Sequence, residues 1–318
     1  MFRLSRVLNC NYKKIHTSTS PKKINIPIKH IPNKISGAMR LTQTPYMGKV
    51  KAVILDWSGT TADAFVIAPA VVFVEVFKQF GVPISMAEAR KPMGLRKDLH
   101  IGEILQDRRV KTKWINVKGK EPCQQDVDEM FEQFVSMQVE CLPKYTKLLP
   151  GITETVRSLQ QKEIKIGSTT GFTKVMVDVL LKDAAAQGYI PCTSVAGDEV
   201  PNNMGFRPAP FMVYQNLLNL GVYPIQSVVK VDDTVSGVME GVNAGCWAIG
   251  VANWSNYMNI DSMEQWENMS SEQKEQRINE SKNKLIKESN AHYIIDDLTI
   301  LPKVIEDIEN RMSKGERP

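Results

Sequence analysis

The sequence predicts an α/β fold: a doubly wound parallel sheet core, interrupted after its first strand by an inserted helical cap domain. Three observations lead there. From Leu149 onward, short apolar β-branched runs alternate with helical stretches, the pattern of parallel βα units. Residues 66–147 carry helical periodicity and no strand-like run, so they read as an insertion. Several runs end on a carboxylate or hydroxyl, and an open α/β sheet gathers such strand ends into one crevice.

In chain order, Val50-Lys51-Ala52-Val53-Ile54-Leu55 is the first strand, stopped by a turn at Gly59. Residues 70–80 are a helix, opened by Pro69 and ended by Gly81. Residues 86–105 are helical with an interruption near Pro92 and Gly94. In residues 126–139, Val127, Met130, Phe131, Phe134 and Met137 recur at helical spacing. The core resumes at Leu149-Pro150-Gly151. Helix 152–160, strand 164–171, helix 174–187 and strand 194–196 follow, then helix 210–220, strand 228–233, helix 235–244 and strand 246–251. Residues 262–290, rich in Glu, Lys, Gln, Asn and Ser, read as exposed helix or loop. A strand at 291–295 and a helix at 301–311 close the chain. The predicted domains are a leader and linker (1–45), the first part of the core (46–65), the cap (66–147) and the second part of the core (148–318).

The overall net charge of +5 misleads, because residues 1–51 hold eleven Lys and Arg and no acid. Removing them leaves −6 on residues 52–318, a mildly acidic body that argues against nucleic-acid binding. The leader, Met1-Phe2-Arg3-Leu4-Ser5-Arg6-Val7-Leu8 and a Lys-, Ser- and Thr-bearing stretch to Arg40, has the character of a mitochondrial transit peptide, which implies the matrix. A basic tail is the alternative reading. No apolar run is long enough for a membrane anchor. Cys10, Cys123, Cys141, Cys192 and Cys246 are scattered without a C-x-x-C pair, against a disulfide framework or zinc site; each is expected to be a small buried apolar residue.

Four strand ends carry chemistry. Asp56 ends the first strand, in Asp56-Trp57-Ser58-Gly59-Thr60-Thr61. Gly59 allows a tight turn there, and the two threonines supply hydroxyls. Thr170 and Gly171 offer a hydroxyl and a backbone N–H to a phosphate oxygen near a helix start. Arg207 is a candidate cation for phosphate charge. Asp232 and Asp233 face Asp56 and make a hard-oxygen site suited to Mg²⁺. Each signal alone is more often a cap, a turn or a surface charge; their order along the chain is what carries weight.

The strand-Asp-x-x-Gly-Thr-Thr pattern resembles the first motif of the haloacid dehalogenase superfamily, whose Asp is a nucleophile toward phosphorus. The resemblance makes Asp56 that nucleophile and also a metal ligand beside Ser58, Asp233 and Asp232. Phosphatases of the superfamily carry a general acid two residues on, where this chain has Ser58. The stretch Arg90-Lys91-Pro92-Met93-Gly94-Leu95-Arg96-Lys97-Asp98-Leu99-His100 is similar to the cap motif of the phosphonoacetaldehyde hydrolase family, in which a lysine forms a Schiff base with the substrate aldehyde. Gly167-Ser168-Thr169-Thr170-Gly171, Leu220-Gly221-Val222-Tyr223-Pro224 and Asp233-Thr234-Val235-Ser236 fit the same family, over about residues 50–255. The resemblance implies Lys97 as the imine-forming lysine, Met93 and His100 as its pocket neighbours, Mg²⁺ as cofactor, a small phosphonate as substrate and a homodimer. The last would use an apolar face of Val71, Val72, Val74 and Phe77, which could equally serve only to pack the cap.

The implied chemistry explains why an acid at Ser58 is dispensable. Breaking a P–C bond expels a carbanion, and a protonated imine accepts those electrons so that an enamine leaves. The chain departs from the family pattern at four places: Asp232 stands for Gly and Gly237 for Asp in the fourth motif, Phe172 for Tyr, Val66 for Cys, and residues 201–206 are longer than usual. Asp232 is expected to compensate near the metal. Alternatives are a P–O phosphatase of the same superfamily, a dehalogenase, and a non-catalytic binding module on the same fold.

Overall fold

The computed structural model describes residues 45–318; the predicted transit peptide and Cys10 lie outside the described residues. A six-stranded sheet is built from β1 (Ala52–Leu55), β2 (Lys165–Thr170), β3 (Thr193–Ala196), β4 (Val228–Asp232), β5 (Trp247–Val251) and β6 (Tyr293–Ile295). Their order is β3-β2-β1-β4-β5-β6 and every pairing is parallel. The central strands are buried on both faces. Val53 and Leu55 of β1 enter one apolar cluster, while Ala52 and Ile54 enter another with Val213, Leu220 and Ala244. This two-sided burial is why the strands read as continuous apolar runs. Leu55 lies opposite Ser168 and Val231, so the next residues, Asp56, Thr169 and Asp232, emerge side by side.

Between β1 and Leu149 the chain forms five α-helices and no strand. They are α1 (Ile67–Gln79), α2 (Met86–Arg90), α3 (Lys97–Gln106), α4 (Arg108–Lys118) and α5 (Gln124–Cys141). Phe73, Val76, Phe77, Ile101, Ile104, Trp114, Met130 and Phe134 form the interior of this cap. Helix α1 starts three residues before the predicted position. Asp63 Oδ1 accepts from the backbone N–H groups of Ile67 and Ala68, and Pro69 sits in the first turn, where its missing N–H costs nothing. The segment entering the cap is strained: Asp63, Phe65 and Val66 have φ of 53°, 64° and 55°, a region a β-branched residue such as Val66 rarely adopts. Backbone bonds from Phe65 to Trp254 and from Leu149 to Thr61 hold both chain crossings in place.

The core is completed by α6 (Ile152–Gln161), α7 (Lys174–Ala186), α8 (Phe211–Leu220), α9 (Val235–Ala244), α10 (Met263–Glu267), α11 (Ser271–Glu288) and α12 (Leu301–Ser313). Residues 262–290 are therefore two helices. Ser262 and Ser270 cap them, and α11 buries Ser281 and Leu285. The polar composition of α11 belongs to an exposed helix face, while Leu285 packs with Val238 and Ala248.

Two expectations need correction. Cys246 is buried, but Cys123 and Cys192 are exposed and Cys141 is half-buried, because the first two sit in connections between elements. On the proposed dimer face, Val72 and Phe77 point into the cap interior, and only Val71 and Val74 stay partly exposed. Among the described residues no helix is long and apolar enough to cross a membrane.

Candidate active site

Asp56 stands at the mouth of β1, buried at 5% exposure, with its backbone N–H bonded to Val231 O. Its Oδ1 accepts from Arg207 Nη2 at 2.8 Å. Arg207 also reaches Thr169 Oγ1 at 2.8 Å and Glu240 Oε2 at 3.0 Å. The longer segment before Arg207 thus leaves the guanidinium on Asp56. Asp233 Oδ2 accepts from Asn256 N at 2.8 Å, while its Oδ1 is buried without a partner. One oxygen each of Asp56, Asp232 and Asp233 lies within 4.8 Å of the others.

These carboxylates disturb one another. Burial, then Asp232, pushes Asp56 up to about 6. Burial, then Asp232 and Asp56, pushes Asp233 well above the carboxylate range. Burial also opposes ionisation of Asp232, but Arg207 and Lys230 outweigh it and hold that group low. Four buried carboxylates, counting Glu240, thus face two fixed cations, Arg207 and Lys230. An all-oxygen donor set with an unpartnered Asp233 oxygen and an excess of negative charge fits a hard divalent ion such as Mg²⁺.

Lys97 begins α3 and is 4% exposed. Its Nζ lies 4.9 Å from the Phe172 ring and 5.8 Å from the Phe73 ring. Burial lowers it to about 8, with Asp56 pulling it back up. Phe172, where the family pattern has a phenol, thereby contributes an apolar wall to the amine. His100 is fully buried, stacks at 3.9 Å on Phe73, and its Nε2 meets Ala89 O at 2.7 Å. Burial and Lys97 hold it well below its usual value, so it is neutral, and Nδ1 has no partner. With Nε2 carrying the proton toward Ala89, Nδ1 is an acceptor.

Asp56, Ser58, Met93, Lys97, Thr170, Gly171, Phe172, Arg207 and Asp233 line one pocket, together with Val66 and Gly94. Its free volume is about 20 Å³, room for little more than a water, so the cap is closed and must open to admit a substrate. Closure is tight: a Cβ added at Gly171 would lie 2.6 Å from the backbone oxygen of Leu95 in the cap. Thr170 Oγ1 accepts from Phe172 N, shaping that turn. Of the predicted residues, His100 and Asp232 stand behind the pocket wall. Sequence reading missed Lys230, Glu240, Thr169 and Asp63. A lysine inside the Val228-Val229-Lys230-Val231 run was the available signal, since a charge within a central strand needs a buried partner.

Strand-end aspartates in this order, a metal-compatible oxygen cluster and a helical cap define a haloacid dehalogenase-like hydrolase, and residues 53–251 match the profile of the haloacid dehalogenase-like hydrolase family. A phosphonoacetaldehyde hydrolase of Bacillus cereus (strain AH820) is 41% identical over 263 residues, covering 83% of this chain and 98% of that protein. Another, of Bacillus cytotoxicus, is 43% identical with the same coverage. The crystal structure of a phosphonoacetaldehyde hydrolase-like protein from Oleispira antarctica superposes with a TM-score of 0.82 at 35% identity, covering 86% of this chain and 97% of that one. A β-phosphoglucomutase from Clostridium difficile shares only the fold, at TM-score 0.60 and 17% identity. The chain belongs to the phosphonoacetaldehyde hydrolases within that class.

Proposed function

We propose that this protein hydrolyses the P–C bond of phosphonoacetaldehyde to acetaldehyde and phosphate. The observation that carries the reading is a buried amine and a buried carboxylate lining one pocket: Lys97 on the cap and Asp56 on the core. An ordinary phosphatase has no use for the amine, and Ser58 cannot replace a leaving-group acid.

Lys97, lowered to about 8 by burial, is neutral often enough to attack the aldehyde carbon, and loss of water gives a protonated imine. Arg207 and the Thr170–Gly171 turn hold the phosphonate oxygens, and Asp56 attacks phosphorus. The P–C electron pair passes into the imine, so an enamine departs and an aspartyl phosphate remains. His100 Nδ1, neutral and an acceptor, can take and return a proton near Lys97 as the enamine becomes an imine and is hydrolysed. Water then releases phosphate from Asp56. A Mg²⁺ held by Asp56, Ser58 and Asp233, with Asp232 beside them, would offset the phosphonate charge that otherwise repels Asp56.

The test compares phosphate release from phosphonoacetaldehyde and from p-nitrophenyl phosphate. Lys97→Arg should abolish the first activity, and Asp56→Asn both. Phosphonoacetaldehyde turnover that survives Lys97→Arg would defeat the reading in favour of direct P–O-type hydrolysis. We read the basic leader as a matrix-targeting peptide; a fluorescent fusion of residues 1–45 should reach mitochondria, and a diffuse signal would refute it. A homodimer is also proposed from the family resemblance, and sedimentation would reveal it as twice the chain mass.

A further inference from the structure

Asp232 ends β4 one residue before Asp233, yet it does not line the pocket and is fully buried. Its Oδ2 sits 2.6 Å from Lys230 Nζ and 3.3 Å from Arg207 Nη2. Its Oδ1 accepts from the backbone N–H of Thr234 at 3.0 Å and from the Thr234 hydroxyl at 2.7 Å. Both oxygens are therefore committed to donors inside the protein. Opposite stands Gly237 in the first turn of α9. A Cβ built there would lie 2.1 Å from Asp232 Cγ, 2.2 Å from Oδ1 and 2.1 Å from Oδ2. The Asp232 carboxylate thus fills the volume that a side chain at position 237 would take. Arg207 Nη2 in turn sits between Asp56 Oδ1 at 2.8 Å and Asp232 Oδ2 at 3.3 Å, while its Nε meets Glu240 Oε2 at 3.0 Å.

We propose that Asp232 is a positioning residue whose carboxylate, admitted by Gly237 and neutralised by Lys230, fixes Arg207 against Asp56 instead of ligating the metal. The inference rests on the phosphonate reading for what Arg207 binds. Position, not the backbone that bears the charge, is then what counts. Asp232 and Gly237 form one unit, and a carboxylate carried from position 237 over a glycine at 232 would reach the same place.

Four variants test this: Asp232→Asn, Asp232→Gly, Gly237→Asp, and the double Asp232→Gly/Gly237→Asp. Asp232→Asn keeps the volume and is expected to fold. It should weaken inorganic phosphate binding by calorimetry, and raise KM for phosphonoacetaldehyde, by about tenfold or more, while Mg²⁺ affinity changes far less than in Asp233→Asn. Asp232→Gly and Gly237→Asp should each be impaired, and the double should return phosphate affinity to within about threefold of the parent. Unchanged phosphate affinity in Asp232→Asn, Mg²⁺ affinity lost as fully as in Asp233→Asn, or a folded double variant no better than its worse parent would overturn the proposal. Failure of the phosphonate reading looks different: the unmodified protein would release no phosphate from phosphonoacetaldehyde, whatever the variants' affinities.

Discussion

Lys97 is costly to the fold, and the cost has a sign that can be measured. A buried lysine lowered from 10.5 to about 8 binds its proton less readily when folded than when unfolded. Between those values the unfolded chain carries more protons, so this group's contribution to stability rises with pH across the window and is at its worst below about 8. The gap corresponds to about 3 kcal/mol. Lys97→Met should therefore raise the melting temperature near neutral pH, with the gain shrinking toward pH 10.5, while imine chemistry is lost. A destabilised Lys97→Met at pH 7 would mean that the amine is well solvated or paired. Asp56 and Lys97 were legible in the sequence because each sits in a local motif. Glu240 was not, since it lies mid-helix on α9 and meets Arg207 only through the fold. The contact between Asp232 and Gly237 was equally hidden, because the close approach depends on how α9 packs against the end of β4.

The cap joins packing to chemistry through a stack of rings. Phe134 of α5 stacks on Phe73 of α1 at 4.3 Å, and Phe73 in turn touches His100 and lies under Lys97. Phe134→Ala should cost roughly 3–5 kcal/mol by cavity formation and also loosen the lysine. Thermal melts should show the loss, and imine formation should fall with it; a loss of stability with unchanged imine formation would separate the two roles. Closure is a second lever. Gly171→Ala would press a methyl group against the Leu95 carbonyl, so KM should rise and kcat fall by about tenfold each with little change in melting temperature. Unaltered kinetics would mean that catalysis does not need this close approach. Periodicity located the five cap helices as a group, but not the start of α1 at Ile67, which Asp63 sets by capping from a left-handed conformation. For α10 and α11, serine caps at Ser262 and Ser270 were present in the sequence, yet polar composition obscured them.

Across the protein, the sheet order and the crevice at its strand ends follow from the regular βα alternation, and three buried aspartates, Asp56, Asp232 and Asp233, gather at that crevice. A divalent ion that binds only the folded state must stabilise it, by about 2.7 kcal/mol at a hundredfold excess over its Kd. Mg²⁺ should therefore raise the melting temperature of the parent protein, EDTA should reverse the shift, and Asp233→Asn should abolish it; a shift retained in Asp233→Asn would place the ion elsewhere. What composition could not reveal is how the opposing charges are arranged: Lys230 meets Asp232 on β4, which pairs with β1, and Arg207 reaches Asp56 from the connection between β3 and α8. The proposed chemistry turns on one covalent event. Protein incubated with phosphonoacetaldehyde and Mg²⁺ should be reduced with borohydride and its peptides mapped by mass. Reduction of an imine onto Lys97, with phosphate released in the unreduced control, is the predicted result. Phosphate release with no adduct at Lys97 under the same conditions would contradict it.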